Sequence, residues 1–314
     1  MSQPAFNHAP VLHAEVLAGL NIQSDGFYVD GTYGRGGHAR SILDQLGDRG
    51  RLVVMDKDPE AIRAARSALG EDPRVTIVHD DYAQMSACLA ELALNEKIDG
   101  VLLDLGVSSP QLDDASRGFS FQKKGPLDMR MNPDRGESAA EWLGHADEKE
   151  IARVLWEFGE ERFSRRIARK IVETRDDQPL EDTASLSALI ASCVPQRDQK
   201  KHPATRSFQA IRIHINRELD QITQLLESIF DVLKVGGRLL IISFHSLEDR
   251  LVKRFFKAQS SGPKIPRGLP VRESELTANI RLKVIGKAIK AGVTELGNNP
   301  RARSAVLRVA ERTF

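Results

Sequence analysis

The sequence predicts an α/β protein, a mostly parallel sheet with helices on both faces, interrupted by an all-helical insertion. Three observations carry that reading. Strand and helix patterns alternate four times between Phe27 and Asp104. The alternation stops at Gly106, and from about residue 137 to 195 only helical periodicity remains. Strand patterns then return at Arg238–Ser243, RLLIIS, and twice more near the C-terminus, giving seven strands.

The first βαβ unit organises the chain. Residues 7–20 read as a lead-in turn and a short helix, with His8 and His13 as packing or surface residues. Phe27-Tyr28-Val29 is a short apolar strand ending on Asp30. A loop dense in glycine follows, Gly31, Gly34, Gly36 and Gly37, and then a helix carrying Ile42, Leu43 and Leu46. The second strand, Leu52–Met55, ends on Asp56. Such a loop lets backbone approach a ligand without a side chain in between. An acid closing the second strand sits where these folds hold ribose hydroxyls. The G-x-G-G spacing departs from the dinucleotide G-x-G-x-x-G, so it points to a nucleoside and does not require a pyrophosphate.

Asp58-Pro59 is a helix start, Asp at the N-cap and Pro at N1, for a helix through Ile62, Ala65 and Leu69. Val75–Val78 is the third strand, followed by His79-Asp80-Asp81-Tyr82 and a helix over 84–94. Ile98–Asp104 is the fourth strand. Residues 106–136, rich in glycine, proline and charge, read as a long functional loop. In the insertion, Asp147-x-x-Glu150 predicts a capping box, Phe163, Ile167 and Ile171 recur every four residues, and Thr183 predicts a further cap. Phe208, Ile211, Ile215, Leu219, Ile222, Leu226, Ile229 and Leu233 form one continuous stripe, predicting a single long helix that ends at Lys234–Gly237. The last two strands are expected over Leu282–Ile289 and Ser304–Ala310, as a hairpin.

Composition bounds the class. With 41% hydrophobic and 28% charged residues in 314, the chain builds a real core and is of soluble type. No apolar run reaches membrane-spanning length, and MSQPAFNHAP lacks a basic apolar signal segment. Cys88 and Cys193 have no metal-type spacing, so no metal site is expected, and both read as thiols of a reducing compartment, the cytoplasm. The net charge of +1 conceals an asymmetry. Arg250–Phe314 holds 15 Lys/Arg against 4 Asp/Glu, while the remainder holds 30 against 40. One face therefore suits a polyanion, unless the basic segment is merely a solvated tail.

A nicotinamide-binding sheet does not need the final hairpin, whereas a methyltransferase using S-adenosylmethionine usually has it. Longer segments sharpen this: His8-x-Pro10-Val11-Leu12, DGTYGRGGH at 30–38, LLDLGVSSPQLDDASRGFSF at 102–121 and GPLDMRM at 125–131. HPATRSFQAIRIHIN at 202–216, GGRLLIISFHSLEDR at 236–250 and NPRARSAVLR at 299–308 extend them over nearly the whole chain. On these segments the chain resembles the RsmH (MraW) family of bacterial ribosomal RNA methyltransferases. The resemblance implies N4-methylation of a cytidine in the P-site region of 16S ribosomal RNA, with S-adenosyl-L-methionine as cofactor. It implies a Rossmann-like methyltransferase domain over 1–110 and 206–314, the second part with a basic C-terminal segment, and an inserted helical substrate-recognition domain with the active-site loop over 111–205. The small ribosomal subunit is the expected partner, with no membrane and with a homodimer as an option.

The resemblance also assigns residues. Cofactor contacts map onto Gly36, Gly37, His38, Asp56, Tyr82, Asp104 and Gln111. Asp56 is placed to accept from ribose hydroxyls and Tyr82 to lie against adenine, with Asp80 or Asp81 near its amine. Many amino-methyltransferases carry Asp/Asn-Pro-Pro-Tyr/Phe after the fourth strand; this chain has Val107-Ser108-Ser109-Pro110-Gln111. Ser108 or Ser109, with Pro110, is therefore the expected acceptor region for the amine. Phe119 or Phe121 either stacks on an extruded base or anchors the loop. His245 is a weaker general-base candidate. Lys123, Lys124, Arg130, Arg135, Lys200, Lys201, Arg206, Arg301 and Arg303 are candidates for phosphate contact or solvated surface charge. Two other functions remain open, a DNA amino-methyltransferase and a non-catalytic RNA-binding assembly factor.

Overall fold

The computed structural model describes residues 10–195, 202–261 and 280–314. Two compact units are present, one joining Met1–Gly106 to Leu219–Phe314 and the other formed by Val107–Glu218. The first unit is built on an eight-stranded sheet: β1 (Phe27–Asp30), β2 (Arg51–Asp56), β3 (Val75–His79), β4 (Ile98–Asp104), β5 (Leu233–Ser243), β6 (Leu282–Val284), β7 (Ile289–Lys290) and β8 (Val306–Arg312). The strand order is β3-β2-β1-β4-β5-β8-β6, with β7 also pairing β8. Strands β1 to β5 are mutually parallel, and β8 is antiparallel to β5, β6 and β7. The chain winds outward from β1 to β3 and then returns to β4 on the other side of β1. Order therefore reverses between β1 and β4, and a doubly wound sheet binds its ligand beyond the carboxyl ends at that point.

Both faces of the sheet are buried, which is why its central strands read as continuous apolar runs. Tyr28, Leu52, Val54, Leu102, Leu240 and Ile242 face one core with residues of α1 (His13–Leu20), α2 (Gly37–Leu43) and α3 (Pro59–Leu69). Val29, Val53, Met55, Val101, Leu103, Leu239 and Ile241 face the other, with residues of α4 (Met85–Glu91), α11 (Glu218–Val232) and α12 (Ser246–Ser260). The alternation along each strand sorts neighbours to opposite cores. At the start of α3, Asp58 Oδ1 accepts from the Glu60 amide at 2.9 Å, and Pro59 occupies the first turn, as the sequence predicts.

The helical unit contains α5 (Ser109–Asp113), α6 (Ala139–His145), α7 (Glu148–Gly159), α8 (Ser164–Arg175), α9 (Thr183–Cys193) and α10 (Ala204–Asn216). Trp142, Ile151, Val154, Leu155, Ile167, Ile171, Leu186, Ile190, Phe208 and Ile211 share its core. The long segment after Gly106 is pinned to this unit. Asn216 donates from Nδ2 to the Met129 carbonyl at 2.7 Å and accepts from the Met131 amide at 2.7 Å. Arg117 donates to the carbonyls of Arg130 and Met131 at 3.1 and 2.8 Å.

Several expectations are corrected. The single helix expected over 208–233 is two, because Arg217 adopts a left-handed conformation (φ 52°) and ends α10. Phe208 and Ile211 then belong to the helical core, so the return to the sheet falls after Glu218 and not at 206. Strand β5 begins at Leu233, with an irregular register opposite Ile98–Gly100 and a left-handed Gly236 (φ 81°). The strand expected over 282–289 is split into β6 and β7 around Gly286 (φ 69°), making eight strands. Asp147 occupies an N-cap position without a side-chain cap bond. Asp182, not Thr183, caps α9, accepting from the Ser185 amide at 2.9 Å.

Candidate active site

The loop between β1 and α2 is held by backbone and by Asp56. Asp56 Oδ2 accepts from the Gly34 amide at 2.8 Å, and Oδ1 accepts from the Asp58 amide at 2.9 Å. The carboxylate thus clamps the glycine loop to the end of β2. Burial pushes its carboxyl up to about 6, against the pull of those two amides. Gly36 sits at φ 78°, and a Cβ there would lie 2.5 Å from the Tyr33 hydroxyl. Gly31 is packed so closely that a Cβ would lie 2.5 Å from Leu103. The loop tolerates no side chain at these two positions.

Beyond the carboxyl ends of β1, β4 and β5 the same unit gathers an acid and imidazole cluster. Asp30 is 1% exposed, accepts from the Thr32 amide at 3.1 Å, and is pushed up to about 7 by burial. Asp104, the last residue of β4, is pushed up to about 8, by burial first and then by the charges of Asp30 and Glu248. Its amide donates to Thr32 Oγ1 at 2.6 Å, which ties the end of β4 to the glycine loop. His38 is 5% exposed, with Nε2 3.9 Å from Asp104 Oδ2. Burial, and then the neighbouring His13, hold it down at about 4, so it is neutral at physiological pH. Glu248, 1% exposed, accepts from the amides of Phe244 and His245 at 2.7 and 3.2 Å. Nε2 of His245 lies 3.1 Å from Glu248 Oε1.

Among the described residues, both ring nitrogens of His38 and of His245, Asp104 Oδ1 and Ser243 Oγ are buried without a hydrogen bond. Buried polar atoms are rarely left so. Their concentration at the carboxyl ends of β4 and β5 and the start of α2 marks a surface made for a polar ligand. The donor set suits a nucleoside bearing an amino-acid tail: the Asp56 carboxylate for hydroxyls, the Asp104 carboxylate for a cationic group, and glycine backbone for close approach. These residues fit S-adenosyl-L-methionine.

The other expected residues divide as follows. Gly36, Gly37, His38, Asp56, Asp104 and His245 lie in the sheet unit. Tyr82 begins a short 3-10 turn there and packs partly buried against the β4 face of the core. Asp81 caps that turn through the Ala83 amide at 3.0 Å and lies 3.7 Å from Lys57 Nζ. Ser108, Ser109, Pro110 and Gln111 form the first turn of α5 in the helical unit, where Gln111 Oε1 accepts from the Ser108 amide at 2.8 Å. Phe119 is 6% exposed in the helical core, the loop-anchoring placement. Phe121 stacks on His202 with ring centroids 4.3 Å apart and meets Phe208 edge-on. Arg130 is committed to Asp128 through Nε and Nη2 at 2.8 and 2.6 Å. Arg206 is exposed and donates to the Glu160 carbonyl at 3.1 Å. Lys200, Lys201 and His8 lie outside the described residues. Sequence reasoning missed Asp30, Thr32, Ser243 and Glu248 as parts of the site. The signal for Glu248 is its place three residues after His245 at a helix start, the N3 position of a capping box.

A parallel sheet with a reversed strand order, a glycine loop clamped by an acid, and an antiparallel β8 beside β5 are the features expected of an S-adenosyl-L-methionine-dependent methyltransferase. The model of the MraW methylase family matches residues 5–313. The chain belongs to that family. Among solved structures it is similar to a putative rRNA methylase from Clostridium thermocellum, at 11% identity and a TM-score of 0.43 over 96% of this chain and 94% of that one. It is also similar to an rRNA methylase from Streptococcus thermophilus, at 12% identity and a TM-score of 0.42 over 97% and 98%. A putative methyltransferase from Streptococcus mutans in complex with SAH is 12% identical, with a TM-score of 0.39 over 96% and 98%. No described helix is long and apolar enough to cross a membrane.

Proposed function

We propose that the protein methylates the exocyclic N4 of a cytidine in the P-site region of 16S ribosomal RNA, on the small ribosomal subunit in the cytoplasm. The observation that carries the chemistry is the cluster of acids and imidazoles at the carboxyl ends of β4 and β5, in which Asp104 Oδ1 and Ser243 Oγ are buried without a hydrogen bond and no Lys or Arg is paired with Asp30 or Asp104 among the described residues. Such a cluster suits an amine and a cationic donor. The choice of substrate rests on the segments at 102–121 and 236–250, which resemble the ribosomal RNA methyltransferases.

When bound, S-adenosyl-L-methionine supplies a methyl group already activated by its sulfonium sulfur. The chain's part is alignment and proton handling. The methyl would pass to the amine nitrogen with the sulfur as leaving group, and the amine would give up one proton to solvent. The cytosine amine is a poor nucleophile because its lone pair is delocalised into the ring. Acceptors near its hydrogens favour the attacking geometry, and Ser108 and Ser109, closely following Asp104, take that role in this reading. In this reading Asp56 would accept from the ribose hydroxyls, the backbone at Gly36–Gly37 would approach the methionine part, and Asp104 would face the charged part.

Radiolabelled methyl transfer to small subunits lacking the modification, followed by nuclease digestion and mass analysis of nucleosides, tests the reading. N4-methylcytidine is expected, with little transfer to a short oligonucleotide of the same sequence. Methyl on a ring carbon or on ribose would refute the mechanism.

A further inference from the structure

The exposed face of α8 carries Arg165, Arg166, Arg169 and Lys170, while Ile167, Ala168 and Ile171 fill the core of the helical unit on the other side. This pattern works against the helix. Arg165 and Arg166 lie in its first turn, where the backbone dipole favours acids, and that turn holds no acid. Arg165 and Arg169, and again Arg166 and Lys170, are like charges four residues apart, a spacing that destabilises a helix. Two other helices follow the opposite rule. Helix α7 begins with Glu148 and Glu150, and α12 begins with Glu248 and Asp249 and carries Lys257 in its last turn.

Nor is the charge neutralised locally. Arg169 has only a long contact with Glu148, 3.9 Å, and Arg165, Arg166 and Lys170 have no ion pair or hydrogen bond among the described residues. The helical unit as a whole is balanced, with 19 Lys/Arg and 19 Asp/Glu over 107–218, so the concentration on α8 is local. Beside it lies a hollow of about 320 Å³, lined by Arg166, Arg169, Lys170, Glu173, Ser192 and Cys193. Three of its six lining residues are cations, and Arg fits phosphate oxygens with paired N–H groups.

We propose that this face of α8 and the hollow beside α9 form a docking surface for the phosphate backbone of RNA, with phosphodiester groups as the ligand. It rests on the RNA reading above and adds a contact surface to it. None of these four residues is among the expected cofactor contacts, which apart from Gln111 lie in the sheet unit. Phosphate contacts of this kind set position and affinity without reading sequence.

The test uses the full chain with Arg165, Arg166, Arg169 and Lys170 all changed to Gln. A control carries Lys149→Gln and Arg153→Gln on α7, where Arg153 is already paired with Glu157 at 2.8 Å. Binding of naked 16S ribosomal RNA and of small subunits is measured across a salt series, and calorimetry with S-adenosylhomocysteine checks the sheet unit. The quadruple variant should bind both RNA forms at least about tenfold more weakly at low salt. Its slope of log affinity against log salt should shrink by at least about 2, at roughly 0.7 for each phosphate no longer neutralised. Should it fold poorly, Arg169→Gln with Lys170→Gln alone should give about half that change of slope. Unchanged affinity and slope in a folded variant overturn the surface and leave the RNA reading standing, provided the parent binds and methylates. A parent that binds no RNA overturns both. Weaker binding to small subunits but not to naked RNA points to an acidic protein partner and overturns the proposal.

Discussion

Asp104→Asn should make the cofactor-free protein more stable and its cofactor affinity lower. The structure places Asp104 beside two buried acids, with its carboxyl pushed up to about 8 by burial and by those charges. The sign follows from linkage. The folded-state value lies above the unfolded value of 3.8, so the folded form holds the proton more tightly. Stability is then full below about pH 4 and drains away as pH rises towards 8. At pH 7 the face-value loss is roughly 4 kcal/mol, and screening of a side chain that is 27% exposed reduces it to about 2. Asparagine carries no such penalty, so the variant should gain about that much at pH 7 and nothing at pH 4. Urea denaturation of both proteins from pH 4 to 8 measures the difference. Calorimetry with S-adenosylhomocysteine in buffers of different ionisation enthalpy should show proton release on binding to the parent and less to the variant. An apo variant less stable than the parent at pH 7, or with undiminished cofactor affinity, would show that Asp104 is not a strained ligand group.

Asp56→Ala removes the acceptor for the Gly34 and Asp58 amides as well as for ribose, so cofactor binding should weaken by roughly 1.5–3 kcal/mol and the thermal midpoint should fall. Unchanged calorimetric affinity in a folded mutant would place the ligand elsewhere. Gly36→Ala puts a Cβ 2.5 Å from the Tyr33 hydroxyl at a left-handed φ, and should cost about 2–3 kcal/mol in denaturation while reducing cofactor affinity. Arg130→Ala should lower the stability of the helical unit by about 1–3 kcal/mol by breaking the pair with Asp128, and leave the salt dependence of RNA binding unchanged. A flattened salt dependence would instead make Arg130 a phosphate ligand.

Much of the sheet unit was legible because local signals and tertiary placement agree there. The runs at Leu52–Met55 and Ile98–Asp104 are apolar on both faces because both faces are covered, and the acids ending them fall at the ligand-binding edge. The break at Arg217 was not legible. The apolar stripe runs on through both helices, since each buries that side, and one left-handed residue leaves the periodicity intact. Phe121 and Arg130 carried the chemistry of base stacking and phosphate contact in sequence, yet their partners, His202 and Asp128, are set by folding. The basic face of α8 was hidden for a related reason. Ile167 and Ile171 announced a core helix, and core periodicity says nothing of what the opposite face is for.

The cluster at the strand ends is a consequence of strand order. Asp30 ends β1, Asp104 ends β4, and Glu248 follows β5 by five residues. The three are far apart in sequence and meet only because β1, β4 and β5 are neighbours in the sheet. Two buried acids and a part-buried third with two neighbouring imidazoles are a poor way to stabilise a fold, and raised carboxyl values register that cost in Asp30 and Asp104. Transfer of an already activated methyl group demands no strong base. It demands that a cation be held and an amine be aligned, and both tasks call for acceptors that no internal Lys or Arg neutralises. His38 reinforces this by staying neutral: a protonated imidazole 3.9 Å from Asp104 would satisfy the carboxylate and compete with the ligand's own positive charge. The strain within the cluster and its affinity for a cation are thus two faces of the same arrangement.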